Sequence, residues 1–201
     1  KSRTPGRVVI ECNDLVLGYD EPLTRPVSLK VENGQKIAIK GVNGIGKSTL
    51  LKTLLKLIPP VSGTVEHDQF VEIGYFEQEE AADSRTALQT IWDEYPSMTN
   101  AEVRAALAKC GLTTEHITSQ MRVLSGGENA KVRLCRVMLK SINLLVLDEP
   151  TNHLDVDAKD ALKKAIQEFK GTVLIVSPEP EFYMDVADEV WNLESWSTKI
   201  I

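Results

Sequence analysis

The sequence predicts an α/β fold: a core built on a parallel sheet, an antiparallel β portion at the N-terminus, and an inserted helical subdomain. Three observations predict it. The glycine-rich stretch Gly41-Val42-Asn43-Gly44-Ile45-Gly46-Lys47-Ser48-Thr49 sits between the apolar run Ile37-Ala38-Ile39 and a helical pattern. A wholly apolar run, Leu144 to Leu147, leads through a second helical pattern to a second buried strand, Thr172 to Ser177. Strand, helix and strand with short links form a βαβ unit, whose strands are parallel and whose crossover is right-handed. Between these regions, residues 79 to 123 are more charged and helical in pattern, and the inserted subdomain is expected to span about 79–140.

The elements follow in order. Val8 to Leu17 is rich in β-branched and apolar residues and reads as a strand. Val27 to Val31 and Lys36 to Lys40 alternate apolar and polar residues, and Asn33-Gly34 between them predicts a hairpin, since both residues tolerate positive φ. The helix after the glycine stretch carries Leu50, Leu51, Leu54, Leu55 and Ile58 on one face and is expected to end at Pro59-Pro60. Val71 to Phe76 is a further strand. Thr99-Asn100-Ala101-Glu102 fits a capping box, and Gly111 suits a helix C-terminus. Ala161, Leu162, Ala165, Ile166 and Phe169 face inward on a late helix that Gly171 is expected to close. One domain over residues 8–195, with flanking segments 1–7 and 196–201, accounts for the chain.

Composition narrows the function classes. The 201 residues are 42% hydrophobic and 26% charged, which suits one ordinary globular core. With 23 basic and 29 acidic residues the net charge is −6, so bulk charge gives no reason to expect nucleic-acid binding. No apolar run approaches the roughly 20 residues of a membrane span, and no secretory signal is visible. Cys12, Cys110 and Cys135 are odd in number and far apart in sequence, so reduced thiols and a cytoplasmic location are expected. Because the chain opens on Lys1 rather than Met, it is expected to be a fragment or a processed product.

Three motifs carry chemistry. In the glycine stretch, Gly44 and Gly46 let backbone N–H groups turn toward phosphate oxygens, and the helix starting near Lys47 adds its positive end. Lys47 reaches the outer phosphates, and the Ser48 hydroxyl is a Mg²⁺ ligand. Asp148 and Glu149 are adjacent carboxylates at the end of a buried strand, costly unless compensated. A Mg²⁺ on Asp148 compensates, and Glu149 is placed to polarise an attacking water. In Leu124-Ser125-Gly126-Gly127-Glu128, Ser-x-x-Glu also reads as a capping box. Two glycines are poor helix starters, however, and imply close backbone approach to something. A second anion-binding helix start makes sense if it serves the nucleotide of a facing domain.

These motifs, in this order over about residues 8 to 195, resemble the nucleotide-binding domain of ABC ATPases. Gly41 to Thr49 resembles Walker A, which makes Gly41, Asn43, Gly44, Gly46, Lys47, Ser48 and Thr49 the expected ATP contacts. Leu124 to Glu128 is similar to the LSGGQ signature, with Glu128 in place of Gln, and Ser125, Gly126, Gly127 and Glu128 are expected to reach a nucleotide. Asp148-Glu149 resembles Walker B with its catalytic glutamate. Gln78 stands where the family has the glutamine that meets Mg²⁺ and the attacking water. Tyr19 matches the aromatic that stacks on adenine, although simple strand packing explains it as well. Leu154-Asp155 resembles the D-loop. The resemblance implies ATP and Mg²⁺ as cofactors, Ser48, Gln78 and Asp148 as metal ligands, and Glu149 and Gln78 as catalytic residues.

Pro150-Thr151-Asn152-His153-Leu154-Asp155 narrows the resemblance, because transporter ATPases usually carry Ser-Ala or similar where Asn152-His153 stands. The Asn-His form resembles the ABC-F family, two-domain proteins without a membrane domain whose studied members act on ribosomes in translation or antibiotic resistance. The resemblance implies a sister ABC domain as partner, the ribosome as the target of the full-length protein and no membrane insertion. No inserted arm is visible, which favours the second of the two domains. The alternatives are an energy subunit of a transporter and a nucleotide-binding scaffold. One departure stands out: Pro178 occupies the position of the family's switch His, and Pro supplies no side-chain donor. Hydrolysis is therefore expected to be weak while ATP binding persists. His67, His116 and His153 offer no obvious substitute.

Overall fold

The computed structural model of the chain describes residues 4–41, 46–77 and 84–196; the expectations for Asn43, Gly44 and Gln78 lie outside the described residues. Two sheets organise the core. Strands β1 (Val8–Val16), β2 (Val27–Glu32) and β4 (Ser62–His67) form an antiparallel sheet in the order β2-β1-β4. Strands β3 (Lys36–Lys40), β5 (Ile73–Phe76), β6 (Leu144–Asp148), β7 (Thr172–Val176) and β8 (Glu189–Asn192) form a parallel sheet in the order β5-β6-β7-β3-β8. Every residue of β6 and β7 is buried. This explains why both read as apolar runs without alternation: their sheet is covered on both faces.

The Asn33-Gly34 turn forms, with Gly34 at φ 88, but it does not make the expected hairpin. β2 joins β1, whereas β3 lies between β7 and β8. Burial gives the reason. Ile37, Ala38 and Ile39 are all fully buried, which suits a central parallel strand and not an arm with one wet face. The turn is instead tied to β7: the Gly34 N–H donates to Thr172 Oγ1 at 3.0 Å, and Val173 N–H donates to the Gln35 carbonyl at 3.0 Å. It hands the chain from one sheet to the other.

Helix α1 (Lys47–Leu54) buries Leu50, Leu51 and Leu54 and ends before Pro59-Pro60. Lys56, at φ 60, takes the left-handed conformation that closes it, so Ile58 lies beyond its apolar face. Four helices fill the insertion: α2 (Ala87–Glu94), α3 (Asn100–Lys109), α4 (Thr114–Thr118) and α5 (Gly126–Met138). Thr99 caps α3 in a reciprocal box with Glu102, and Gly111 follows its end at φ 93, both as the sequence implies. Helix α6 (Val156–Glu168) crosses from β6 to β7, and the four-residue α7 (Pro180–Tyr183) follows β7. Gly171 does not cap α6. A Cβ there would sit 2.5 Å from the Asn143 carbonyl oxygen, so glycine is needed for close packing against the start of β6.

Three apolar clusters result among the described residues. One joins β1 and α1 to one face of the parallel sheet, around Ile10, Leu50, Val146 and Leu174. The second packs α6 and α7 on the other face, around Leu145, Ile166, Ile175 and Phe182. The third lies within the helical insertion, around Ile91, Val103, Leu107 and Val132. Thr172 is fully buried and its Oγ1 accepts from the N–H of the exposed Gly34, so Thr172→Val removes this hydrogen bond with little change in volume. It is expected to cost about 0.5–1.5 kcal/mol in urea unfolding, with the slope of the transition unchanged.

Candidate functional site

The site is assembled at the C-terminal ends of the parallel strands, where open α/β sheets place their crevices. β3 ends at Lys40 and the chain passes Gly41 to Gly46, which caps α1 at φ 90. That left-handed conformation favours glycine. Among the described residues no side chain caps α1, and a helix start of this kind presents N–H groups and a positive end that suit an anion. Lys47, Ser48 and Thr49 occupy the first turn; Lys47 is only 7% exposed, Thr49 is buried and Ser48 half-buried. Tyr19, in the turn after β1, is 65% exposed. That turn adjoins the glycine stretch, since a Cβ on Gly46 would lie 3.3 Å from Leu23 Cδ1. Its ring is therefore not simple strand packing.

Opposite Lys47 stand the two carboxylates. Asp148 closes β6 at 4% exposure, and its Oδ1 is buried with no hydrogen-bond partner among the described residues. Burial pushes its carboxyl up to about 6, with Glu149 adding repulsion; Lys47, the Tyr75 hydroxyl and Lys52 pull the other way. Glu149 follows at φ 47, an uncommon conformation for a residue with a side chain, and its N–H donates to the Val176 carbonyl at 2.8 Å. Its Oε1 lies 3.7 Å from Lys47 Nζ. A buried carboxylate oxygen with no hydrogen-bond partner among the described residues, in the field of a buried ammonium, fits a divalent cation carrying an anionic ligand.

The signature stretch lies elsewhere. Ser125 caps α5, accepting from the Glu128 N–H at 3.2 Å, but Glu128 does not return the contact and pairs with His116 at 3.3 Å instead. The reciprocal box is thus half formed. Gly126 makes the close backbone approach that the paired glycines imply, and the partner is in the same chain. A Cβ there would sit 2.4 Å from the His153 carbonyl oxygen. Gly126 therefore meets the turn after Glu149, and a Cβ on Gly127 would lie 3.3 Å from Ala158 Cβ of α6. Asp155 caps α6 through the Ala158 N–H at 2.8 Å.

Three contacts escape the sequence reading. Asn152 Nδ2 donates to Glu149 Oε2 at 3.3 Å. The Tyr75 side chain faces Asp148 from the neighbouring strand. Arg133 of α5 stacks over the Phe76 ring at 4.3 Å and donates to the Glu77 carbonyl, gripping the chain just before Gln78. The three-residue spacing within a turn is a signal for the first; nothing in the sequence signals the other two, which arise across strands and helices distant in sequence.

Comparison with known proteins places this geometry. The family model described as ABC transporter matches residues 24–152. The chain is 58% identical over its full length to the uncharacterized ABC transporter ATP-binding protein YfmM of Bacillus subtilis, covering 39% of that protein. It is 39% identical to ABC transporter F family member 2 of Arabidopsis thaliana, with 92% of this chain and 28% of that one aligned. Among solved structures, a putative ABC transporter ATP-binding protein from Pyrococcus furiosus matches with a TM-score of 0.75 at 28% identity, over 94% of this chain and 99% of that one. The chain spans well under half the length of these curated relatives.

The raised Asp148 carboxyl makes a two-sided prediction. Because the folded value of about 6 exceeds the ordinary 3.8, ionised Asp148 destabilises the nucleotide-free fold. The stability this group contributes is complete below pH 3.8 and lost as pH rises through about 6. Asp148→Asn is therefore expected to unfold at higher temperature than the unsubstituted protein at pH 7.5, by about 2–3 kcal/mol of stability. The gap closes on acidification toward pH 4, and the extra stabilisation by MgATP is lost. Thermal unfolding with and without MgATP across this pH range measures both.

Proposed function

Because the chain belongs to the ABC transporter family of ATP-binding domains, we propose that it is one ATP-hydrolysing half of an ABC-F protein that acts on the ribosome. The observation that carries ATP hydrolysis is the facing of Lys47 and the Asp148-Glu149 pair across the strand ends, with Asp148 Oδ1 unpartnered among the described residues. Bound MgATP supplies the phosphoryl group and a divalent charge beside Asp148. Lys47 and the N–H groups of the first turn of α1 bind anionic oxygens. The Ser48 hydroxyl and Asp148 provide oxygen ligands for the cation, with Gln78 as a third. Glu149 accepts a proton from water, and Tyr19 offers its exposed ring to a base. Ser125, Gly126, Gly127 and Glu128 serve the nucleotide of a sister ABC domain, so that ATP closes the pair and hydrolysis releases it.

The ribosomal target rests on Asn152-His153 and on the similarity to an F family member. The net charge of −6 assigns ribosome contact to parts of the protein beyond this domain. One observation favours a second reading, an ATP-binding subunit of a transporter. An apolar groove of about 610 Å³ runs between α5 and α6, lined by Phe76, Leu134, Met138, Leu139, Leu154 and Leu162, and offers a seat for a membrane-domain helix. Among the described residues no helix is long and apolar enough to cross a membrane, which suits either reading.

Cosedimentation decides between them. The full-length protein carrying Glu149→Gln is expected to pellet with ribosomes when ATP is present and to stay in the supernatant with ADP; recovery with a membrane complex instead supports the transporter reading. Pro178 is exposed at the end of β7 and brings no donor to the site. Single-turnover hydrolysis is accordingly expected to be slow and to rise severalfold in Pro178→His, with ATP affinity unchanged; equal rates in the two proteins refute the role given to Pro178.

A further inference from the structure

The segment after β7 brings no side-chain donor to Glu149 at position 178, where Pro178 stands. The next residue, Glu179, is drawn away: its N–H donates to Ser177 Oγ at 3.1 Å and its carboxylate pairs with Lys159 of α6 at 3.0 Å. A general base acts when its carboxylate holds one direction, and a glutamate side chain has three torsions to fix.

The turn after β6 provides what the β7 segment lacks. Glu149 is held at φ 47 and His153 at φ 63, both left-handed. Asn152 N–H donates to the Glu149 carbonyl at 3.4 Å and Leu154 N–H to the Thr151 carbonyl at 3.1 Å, so residues 149–154 form two overlapping turns. Thr151 is buried beneath them. This winding brings the Asn152 amide back over the carboxylate three residues earlier, with Nδ2 3.3 Å from Oε2, while Lys47 Nζ lies 3.7 Å from Oε1. The two oxygens of Glu149 thus have different partners. The ammonium is also the group that an incoming phosphate claims; the amide is not.

We infer that Asn152 is the positioning residue for Glu149, holding its carboxylate through Oε2 when Lys47 turns to a phosphate, in the place of a histidine at position 178. The inference rests on the reading of Glu149 as the base. It also gives the His153 turn a purpose. Gly126 leaves no room for a Cβ against the His153 carbonyl, so the start of α5 bears directly on the turn that carries Asn152. Movement of the signature helix is felt at the carboxylate through one backbone contact.

The test compares Asn152→Ala and Asn152→Asp with Glu149→Gln and the unsubstituted full-length protein. Asp matches Asn in shape but replaces the amide donor with an acceptor. Both Asn152 variants are expected to lower kcat about tenfold, the scale on which positioning partners act. ATP affinity and thermal unfolding should stay within twofold and 2 °C or so of the unsubstituted protein, and trapping of ADP with aluminium fluoride should weaken in parallel with kcat. If the unsubstituted protein turns over and Asn152→Asp matches its rate, the amide is not the orienting group and the inference falls while the hydrolysis reading stands. If both variants lose ATP binding or stability in proportion to rate, the role of Asn152 is structural and the inference falls. If the unsubstituted protein is no faster than Glu149→Gln, the hydrolysis reading fails and takes this inference with it.

Discussion

The placement of a carboxylate with an empty buried oxygen at the end of a strand governs the rest of the structure. Asp148 Oδ1 is buried and finds no donor among the described residues, and an unmade hydrogen bond to a charged group costs more than a neutral one. The fold tolerates this by setting Lys47 across the crevice and Tyr75 on the adjacent strand, both of which favour the ionised carboxyl without neutralising it. The architecture follows from keeping these groups in register. β6 must be covered on both faces to desolvate Asp148, which requires α6 on one side and β1 with α1 on the other. α1 must begin where β3 ends, so that Lys47 rises from the first turn with its stem buried. Local stability is given up to hold this carboxyl in its buried place.

How far the sequence displays this depends on whether the determining contacts are local. The strand–glycine–helix passage, the apolar runs of β6 and β7, and the Thr99 capping box are legible because each is decided within a few residues. The Asn33-Gly34 hairpin misleads for the opposite reason. The turn chemistry is right, but the choice of partner for β3 is made by burial of Ile37 to Ile39 between strands more than 130 residues away. The end of α1 shows a smaller version of the same limit: the prolines mark where a helix cannot continue, whereas Lys56 ends it earlier through a conformation that lysine rarely signals. In the site, the motif residues are legible and their partners are not. Asp148 is visible in sequence; the aromatic hydroxyl that faces it comes from a strand 73 residues earlier and becomes a neighbour only through the order β5-β6.

The paired glycines show how one residue type serves two constraints. A helix start rich in bare N–H groups suits an anion from a facing domain, and that reason is available from the sequence. The contact of Gly126 with the His153 carbonyl is a second reason, internal to the chain, and it is the one the geometry makes compulsory. A side chain at 126 is therefore excluded whether or not a nucleotide is present. The turn from Glu149 to Asp155 is squeezed between this glycine and the buried strand, which holds two non-glycine residues in left-handed conformations that neither adopts readily alone.

Helix α5 is the element through which these constraints act together. Val132 and Cys135 pack into the core of the helical insertion, while Ala130, Leu134 and Val137 pack against the cluster under the parallel sheet. The two sets lie on opposite faces of one helix. Its N-terminus touches the turn that bears Asn152, and Arg133 near its middle grips the chain at Phe76 and Glu77. Neither core can shift against the other without moving this helix, and the helix cannot move without disturbing both the turn after Glu149 and the segment that enters Gln78. A rigid body with contacts at both places transmits displacement without a chain of intermediates. The packing of this single helix joins the insertion to the turn that follows the carboxylates.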